Sequence, residues 1–93
     1  MEDSTVPATG ALAALDLLRI EHAGAVTHVR LNRPVKRNAL NDTLVAQLQA
    51  AFTGLPPQTC AVVLSGEGSH FSAGLDLSEL SERSVAEAVV HSR

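Results

Sequence analysis

The stretch Leu17-Leu18-Arg19-Ile20-Glu21-His22-Ala23-Gly24-Ala25-Val26-Thr27-His28-Val29-Arg30-Leu31 decides the fold. Leu18, Ile20 and His22 alternate with Leu17, Arg19 and Glu21. Past Ala23-Gly24, the residues Ala25, Thr27, Val29 and Leu31 alternate with Val26, His28 and Arg30. A period of two sends successive side chains to opposite faces of a strand. Strands over Leu17–His22 and Ala25–Leu31, joined by a short glycine-containing turn, therefore form a half-buried β-hairpin.

Moving outward toward the carboxyl end, Pro34 closes the second strand, because it cannot donate to a ladder. The loop from Asn32 to Asn41 is polar and basic, and Asn41 or Asp42 can cap the next element. Leu44, Leu48, Phe52 and Leu55, with Val45 and Ala51, recur at helical spacing and predict a helix over Asp42–Thr53. Gly54 and Pro56-Pro57 stop it. Cys60-Ala61-Val62-Val63-Leu64 is a short apolar run with a β-branched centre, expected as a parallel strand buried on both faces. Cys60 would then be an inert small hydrophobe. Leu75 to Leu80 can form a short helix and Val85 to Val90 a second. The order ββαβ, loop, α makes an α/β protein with a right-handed strand–helix–strand crossover. On the amino-terminal side, residues 1–16 read as a flexible, linker-like segment, with an Ala-rich tail that could form one helical turn. Residues 17–93 are then the structured part.

The chain has 93 residues, so it holds at most one small domain or a piece of a larger one. A net charge of −3 provides no global field for a nucleic-acid backbone. The apolar runs are too short to span a membrane. The acidic start Met1-Glu2-Asp3 lacks the basic region of a secretory leader, and the lone Cys60 can form no internal disulfide. These features lead us to expect a cytoplasmic protein. Of the 42 apolar residues 14 are Ala, and the only aromatic residues are Phe52 and Phe71. Such a core is thin, so the chain is expected to be marginal or to rely on partners.

The densest chemical feature is Ser65-Gly66-Glu67-Gly68-Ser69-His70-Phe71-Ser72-Ala73-Gly74-Leu75-Asp76-Leu77, at the carboxyl end of the expected parallel strand, the edge where α/β sheets hold ligands. If Leu75 opens a helix, its N–H has no partner within that helix and can stabilise negative charge on an oxygen. From these residues alone, two readings stay open: a site for an anion or oxyanion, or an ordinary glycine-turned connection. Gly66 and Gly68 have the spacing of part of a dinucleotide fingerprint, but Gly74 comes too late to complete it. His22, His28, His70 and His91 have no metal-ligand spacing with one another or with Cys60, so no metal is expected.

Four segments in order, Val29-Arg30-Leu31-Asn32-Arg33-Pro34, Arg37-Asn38-Ala39-Leu40, Val62-Val63-Leu64-Ser65-Gly66-Glu67-Gly68 and Phe71-Ser72-Ala73-Gly74-Leu75-Asp76-Leu77-Ser78-Glu79-Leu80, resemble the enoyl-CoA hydratase/isomerase (crotonase) family. The resemblance runs from about Leu17 to Leu80. It implies a crotonase-like spiral of ββα units, of which this chain would hold only the first. It also implies acyl-CoA thioester substrates, hydration or double-bond isomerisation, and assembly as a homotrimer or hexamer. Coenzyme A would enter as part of the substrate, with no separate cofactor.

The resemblance makes the Leu75 backbone N–H one of two donors to the thioester oxygen. Leu75 stands where Ala is most frequent in the family, which would reshape the acyl pocket. The second donor and the acid/base carboxylates would lie beyond Arg93, so this segment alone would hold half an oxyanion hole and no general base. The alternative is a non-catalytic truncated member that binds acyl-CoA or serves only in subunit assembly. The resemblance places Lys36, Arg37, Ala39, Ala73, Gly74, Leu75 and Asp76 against the substrate, with Lys36 and Arg37 ahead of Arg30 and Arg33 for the CoA phosphates. A solvated loop face, with one Arg held by a carboxylate, would account for the same basic run. For Asp76, the stronger expectation is a structural carboxylate in the first helical turn rather than a catalytic acid.

Overall fold

The computed structural model describes residues 5–78. The order is β1 (Val6–Pro7), a 3-10 turn at Leu12–Ala14, β2 (Leu18–Ala23), β3 (Val26–Leu31), a 3-10 turn at Pro34–Lys36, α1 (Asp42–Thr53) and β4 (Ala61–Gly66). They build one mixed four-stranded sheet in the order β1-β2-β3-β4. β2 and β3 pair antiparallel from Leu18↔Leu31 to Ala23↔Val26, leaving Gly24-Ala25 as a two-residue turn. Gly24 has φ +60°, which a glycine at the first central position of such a turn accepts without a Cβ clash.

β4 pairs with β3 in parallel, from Val26↔Ala61 to Leu31↔Gly66, so α1 is the crossover between neighbouring parallel strands. Asn41 caps α1, its side-chain oxygen accepting from the Leu44 N–H at 2.9 Å. The Gly54 N–H closes the last turn on Ala50 and Ala51. The expected hairpin, helix and parallel strand are all present, and the helix has the bounds the periodicity predicts.

The core lies between the hairpin and α1. Leu18 and Ile20 from β2, Val29 and Leu31 from β3, and Leu44 and Ala51 from α1 form one buried cluster, with Leu48 and Val62 packed against it. Leu31 and Leu44 are among the largest fully buried side chains. Complete burial of one such leucine stabilises by roughly 1.5–3 kcal/mol. Thr27 is also fully buried, with its hydroxyl bonded to His22 Nδ1 at 3.0 Å and Thr59 Oγ1 at 2.8 Å. The opposite face of the sheet is polar. Arg19 pairs with Glu67 at 3.1 Å, Arg30 lies 3.8 Å from both Glu21 and Glu67, and His28 Nε2 meets Ser65 Oγ at 2.8 Å.

Four expectations need correction. Within the segment expected to be linker-like, Val6 and Pro7 pair with His22 and Glu21, and Ala8, Leu12 and Leu15 pack on the core. A two-residue strand is too short to show a period, and Pro7 is tolerated there because β1 is an edge. β4 is not buried on both faces: Val62 reaches the core, but Val63 and Leu64 are 48% and 41% exposed and Cys60 is exposed. Among the described residues, α1 covers the hairpin more than β4. The helical stripe is also narrower than expected, since Leu44, Leu48 and Ala51 share the inward face while Val45 and Phe52 sit 38% and 45% exposed at its margin. Finally, Leu75 itself is not helical; it forms an isolated bridge with Leu40, followed by a turn at residues 77–78, and the end of the helix expected over Leu75 to Leu80 lies outside the described residues. The second helix expected, over Val85 to Val90, lies outside the described residues.

Candidate functional site: a cleft beside the Leu40–Leu75 bridge

The loop after β3 reverses direction through two consecutive left-handed residues, Arg37 (φ 52°) and Asn38 (φ 57°). Asparagine tolerates this conformation better than most residues, which explains its use at the second position. The turn drives the Asn38 side chain inward until it is fully buried. There its Oδ1 accepts from the Arg33 N–H at 2.8 Å, and its Nδ2 donates to the Glu67 and His70 carbonyls, each at 2.9 Å. One side chain thus ties the end of β3 to the loop that follows β4. Gly66 makes room for this contact: a Cβ there would meet the carbonyl oxygens of His70 and Phe71 and lie 2.8 Å from Asn38 Nδ2.

Residues 72–76 then run alongside residues 37–40. The Ala73 N–H donates to the Arg37 carbonyl at 2.9 Å. Ser72 Oγ donates to the Asn38 carbonyl at 2.8 Å and accepts from the Gly74 N–H at 3.1 Å. The Leu40 N–H donates to the Gly74 carbonyl and the Asp76 N–H to the Leu40 carbonyl, both at 2.8 Å. In this parallel bridge the neighbours of Leu75 supply both bonds, so the N–H of Leu75 itself faces away from Leu40. Among the described residues no group accepts from it. The amide belongs to an extended bridge rather than to the helix start expected of it.

Leu75 lines a cleft of about 370 Å³ with Lys36, Arg37, Ala39, Ala73 and Asp76, together with Val35 and Leu77. This size falls in the range of small-ligand sites. Six of the seven residues expected to face a substrate therefore share one concavity. The seventh, Gly74, holds φ +89° behind it, with its carbonyl engaged by Leu40. Sequence reasoning missed Val35, which is 91% exposed, and Leu77 as lining residues. Both carry the apolar signal of ordinary core residues, and only the turn at Arg37-Asn38 places them at a rim.

The four basic residues divide in two. Arg30 lies on the polar face of the sheet between Glu21 and Glu67. Arg33 is buried, donating from Nη1 to the Ala39 carbonyl at 2.7 Å and pairing with Asp76 Oδ2 at 3.1 Å. Lys36 and Arg37 are exposed and line the cleft. Asp76 also accepts from Ser78 Oγ at 2.7 Å. That hydrogen bond, with Arg33 and the field of Lys36, holds its carboxyl below the usual carboxylate range against the opposing pull of burial. Asp76 is an ionised partner of Arg33 and not a proton donor at neutral pH. No cluster of potential metal ligands occurs among the described residues. Among them, no helix is long and apolar enough to cross a membrane.

Comparison with known proteins gives a consistent picture. A sequence model described as enoyl-CoA hydratase/isomerase matches residues 21–92. A 4-chlorobenzoyl coenzyme A dehalogenase of Arthrobacter is 36% identical over 78 residues, covering 82% of this chain and 28% of the relative. The crystal structure of a protein from Rhodopseudomonas palustris, assigned as an enoyl-CoA hydratase, superposes with a TM-score of 0.71 at 51% identity, over 90% of this chain and 33% of that one. A Thermobifida fusca protein with the same assignment, solved with acetoacetyl-CoA, superposes with a TM-score of 0.68 at 28% identity, over 90% of this chain and 36% of that one. The chain thus spans between a quarter and two fifths of the length of these relatives.

Proposed function

The chain belongs to the enoyl-CoA hydratase/isomerase family, and on that premise we propose that its cleft binds an acyl-CoA thioester and stabilises an enolate-like oxyanion during hydration or double-bond isomerisation. One observation carries the proposal: Leu75 lines the cleft and its N–H has no acceptor among the described residues, while the backbone on either side of it is held by residues 37–40. A donor fixed in this way needs no reorganisation when charge develops on the oxygen it faces. The solved relative holding acetoacetyl-CoA supports the choice of ligand class.

Within this reading, the thioester oxygen accepts from Leu75, the acyl chain lies against Ala39, Ala73 and the Leu75 side chain, and Lys36 and Arg37 face the CoA phosphates. Basic groups at a rim act as point charges and need only proximity. The second oxyanion donor and the acid/base groups come from outside this segment. The proposal extends to a homotrimer or hexamer, whose interfaces would cover the exposed apolar side chains of α1 and β4.

Calorimetric titration of acetyl-CoA into the full-length protein tests the binding step. Wild type should bind, and Lys36→Ala/Arg37→Ala should bind more weakly, with a shallower dependence on salt. Undiminished affinity in the double variant would remove these residues from the phosphate site. No binding by wild type would overturn the ligand class.

A further inference from the structure

We infer that Arg33 is a positioning residue that acts through Asp76, keeping a carboxylate on the cleft wall from opposing the charge that develops at the Leu75 N–H. The inference rests on the proposed oxyanion role and adds a residue that does not itself reach the cleft.

Leu75 and Asp76 are consecutive and both line the cleft. The first carries the donor and the second an ionised carboxylate. A bare negative charge one residue from a developing oxyanion would raise the energy of the very state the donor is meant to stabilise. Arg33 is not among the lining residues; it lies behind Asp76 and pairs with it at 3.1 Å, with both side chains 9% exposed. The same guanidinium nitrogen donates to the Ala39 carbonyl at 2.7 Å, which fixes it against the other wall. The Asp76 N–H is in turn bonded to the Leu40 carbonyl at 2.8 Å. Carboxylate, guanidinium and donor are thus held by one hydrogen-bonded frame. Among the described residues, the other cations near Asp76 are Lys36, whose field reaches it, and Arg37, which lines the same cleft. Both are exposed, so solvent and salt weaken their effect, whereas the buried pair is screened much less.

A purely mechanical clamp would have the same contacts, and charge separates the two accounts. The probe is cinnamoyl-CoA, a conjugated thioester whose ultraviolet band moves to longer wavelength as its carbonyl is polarised. In the full-length protein, the wild type should shift the band. Arg33→Met should bind the probe with affinity within about tenfold of wild type but lose more than half of the shift, because the carboxylate is no longer balanced. Arg33→Met/Asp76→Asn should recover the shift even though the ion pair is still missing. A clamp predicts no recovery. If Arg33→Met does not fold, Asp76→Asn alone decides: its unopposed guanidinium should enlarge the shift beyond wild type. Full shift in Arg33→Met, failure of the double variant to recover, or an Asp76→Asn shift no larger than wild type would each overturn the inference. Absence of any shift in wild type would overturn the proposed oxyanion site itself.

Discussion

Leu40 and Leu75 form an isolated parallel bridge, and this bridge turns the Leu75 N–H away from the rest of the described protein. Both bonds of the bridge come from Leu40, one to the Gly74 carbonyl and one from the Asp76 N–H. The residue between them is left with a donor that has no acceptor among the described residues, on a backbone that its neighbours hold in place. Everything proposed about chemistry depends on that arrangement, and the surrounding contacts can be tested one at a time.

Gly66 is required by space rather than by its own dihedral angles. A Cβ would meet two backbone carbonyls and the Asn38 amide, none of which is the movable end of a flexible side chain. Gly66→Ala should lower stability by about 1–3 kcal/mol, as overpacking does in a tightly filled site. Urea denaturation should show the midpoint falling, and an unchanged midpoint would mean that the loop after β4 gives way freely.

Asn38→Ala removes three hydrogen bonds and leaves the Arg33 N–H and the Glu67 and His70 carbonyls without this partner. Orphaned buried groups cost about 1–3 kcal/mol each, so a loss on the order of 3 kcal/mol is expected. Asn38→Gly relieves the left-handed backbone but restores none of these bonds, so it should recover only a fraction. Equal stability of wild type and Asn38→Ala in the same denaturation series would show that the bonds are not formed in solution.

Asp76 makes stability depend on acid in a definite direction. Its carboxyl titrates below its unfolded value of 3.8, so the unfolded chain takes up the proton first as pH falls. The stabilising effect is fully present at neutral pH, begins to fade near the unfolded value and is lost as pH falls through the lower folded value. Asp76→Asn should therefore show a flatter stability profile than wild type below about pH 4. Parallel profiles for the two proteins would contradict the pairing with Arg33 and Ser78.

Much of this architecture is legible in the residues. Leu18, Ile20, Val29 and Leu31 alternate cleanly because one face of the hairpin is buried and the other is wet. The α1 bounds follow from the Asn41 cap and Gly54. Five of the six cleft residues fall in the Arg37–Leu40 and Phe71–Leu80 segments that resemble a known family, and Lys36 in the basic loop just before them, not in any period. What stayed hidden depends on tertiary contact. No local signal shows that Arg33 meets Asp76 across 43 positions, or that Asn38 reaches Glu67 and His70. The helical start expected at Leu75 is replaced by a bridge, because hydrogen bonding to Leu40 holds that backbone extended. The burial expected for Val63 and Leu64 requires a covering layer that the described residues do not supply.

Those uncovered side chains carry a prediction of their own. Val45, Phe52, Val63, Leu64 and Phe71 are all more than a third exposed. The 93-residue chain on its own should associate, with a sedimentation profile that shifts to larger species as concentration rises. A monomer with a sharp, concentration-independent unfolding transition would contradict this.

The central claim is that the Leu75 N–H stabilises the oxyanion, and turnover of two variants on a single 2-enoyl-CoA tests it most directly. Leu75→Pro deletes the donor at a position whose N–H makes no bond within the described residues, so the ladder to Leu40 loses nothing. Leu75→Ala keeps the donor and trims only the acyl wall, which controls for the side chain. Because proline also restricts the residue before it, circular dichroism must show that the Pro variant, with Gly74 at φ +89°, is folded. The account predicts a loss of about 10²–10³ in kcat for folded Leu75→Pro and a change confined to acyl preference for Leu75→Ala. Wild-type turnover in folded Leu75→Pro would contradict it.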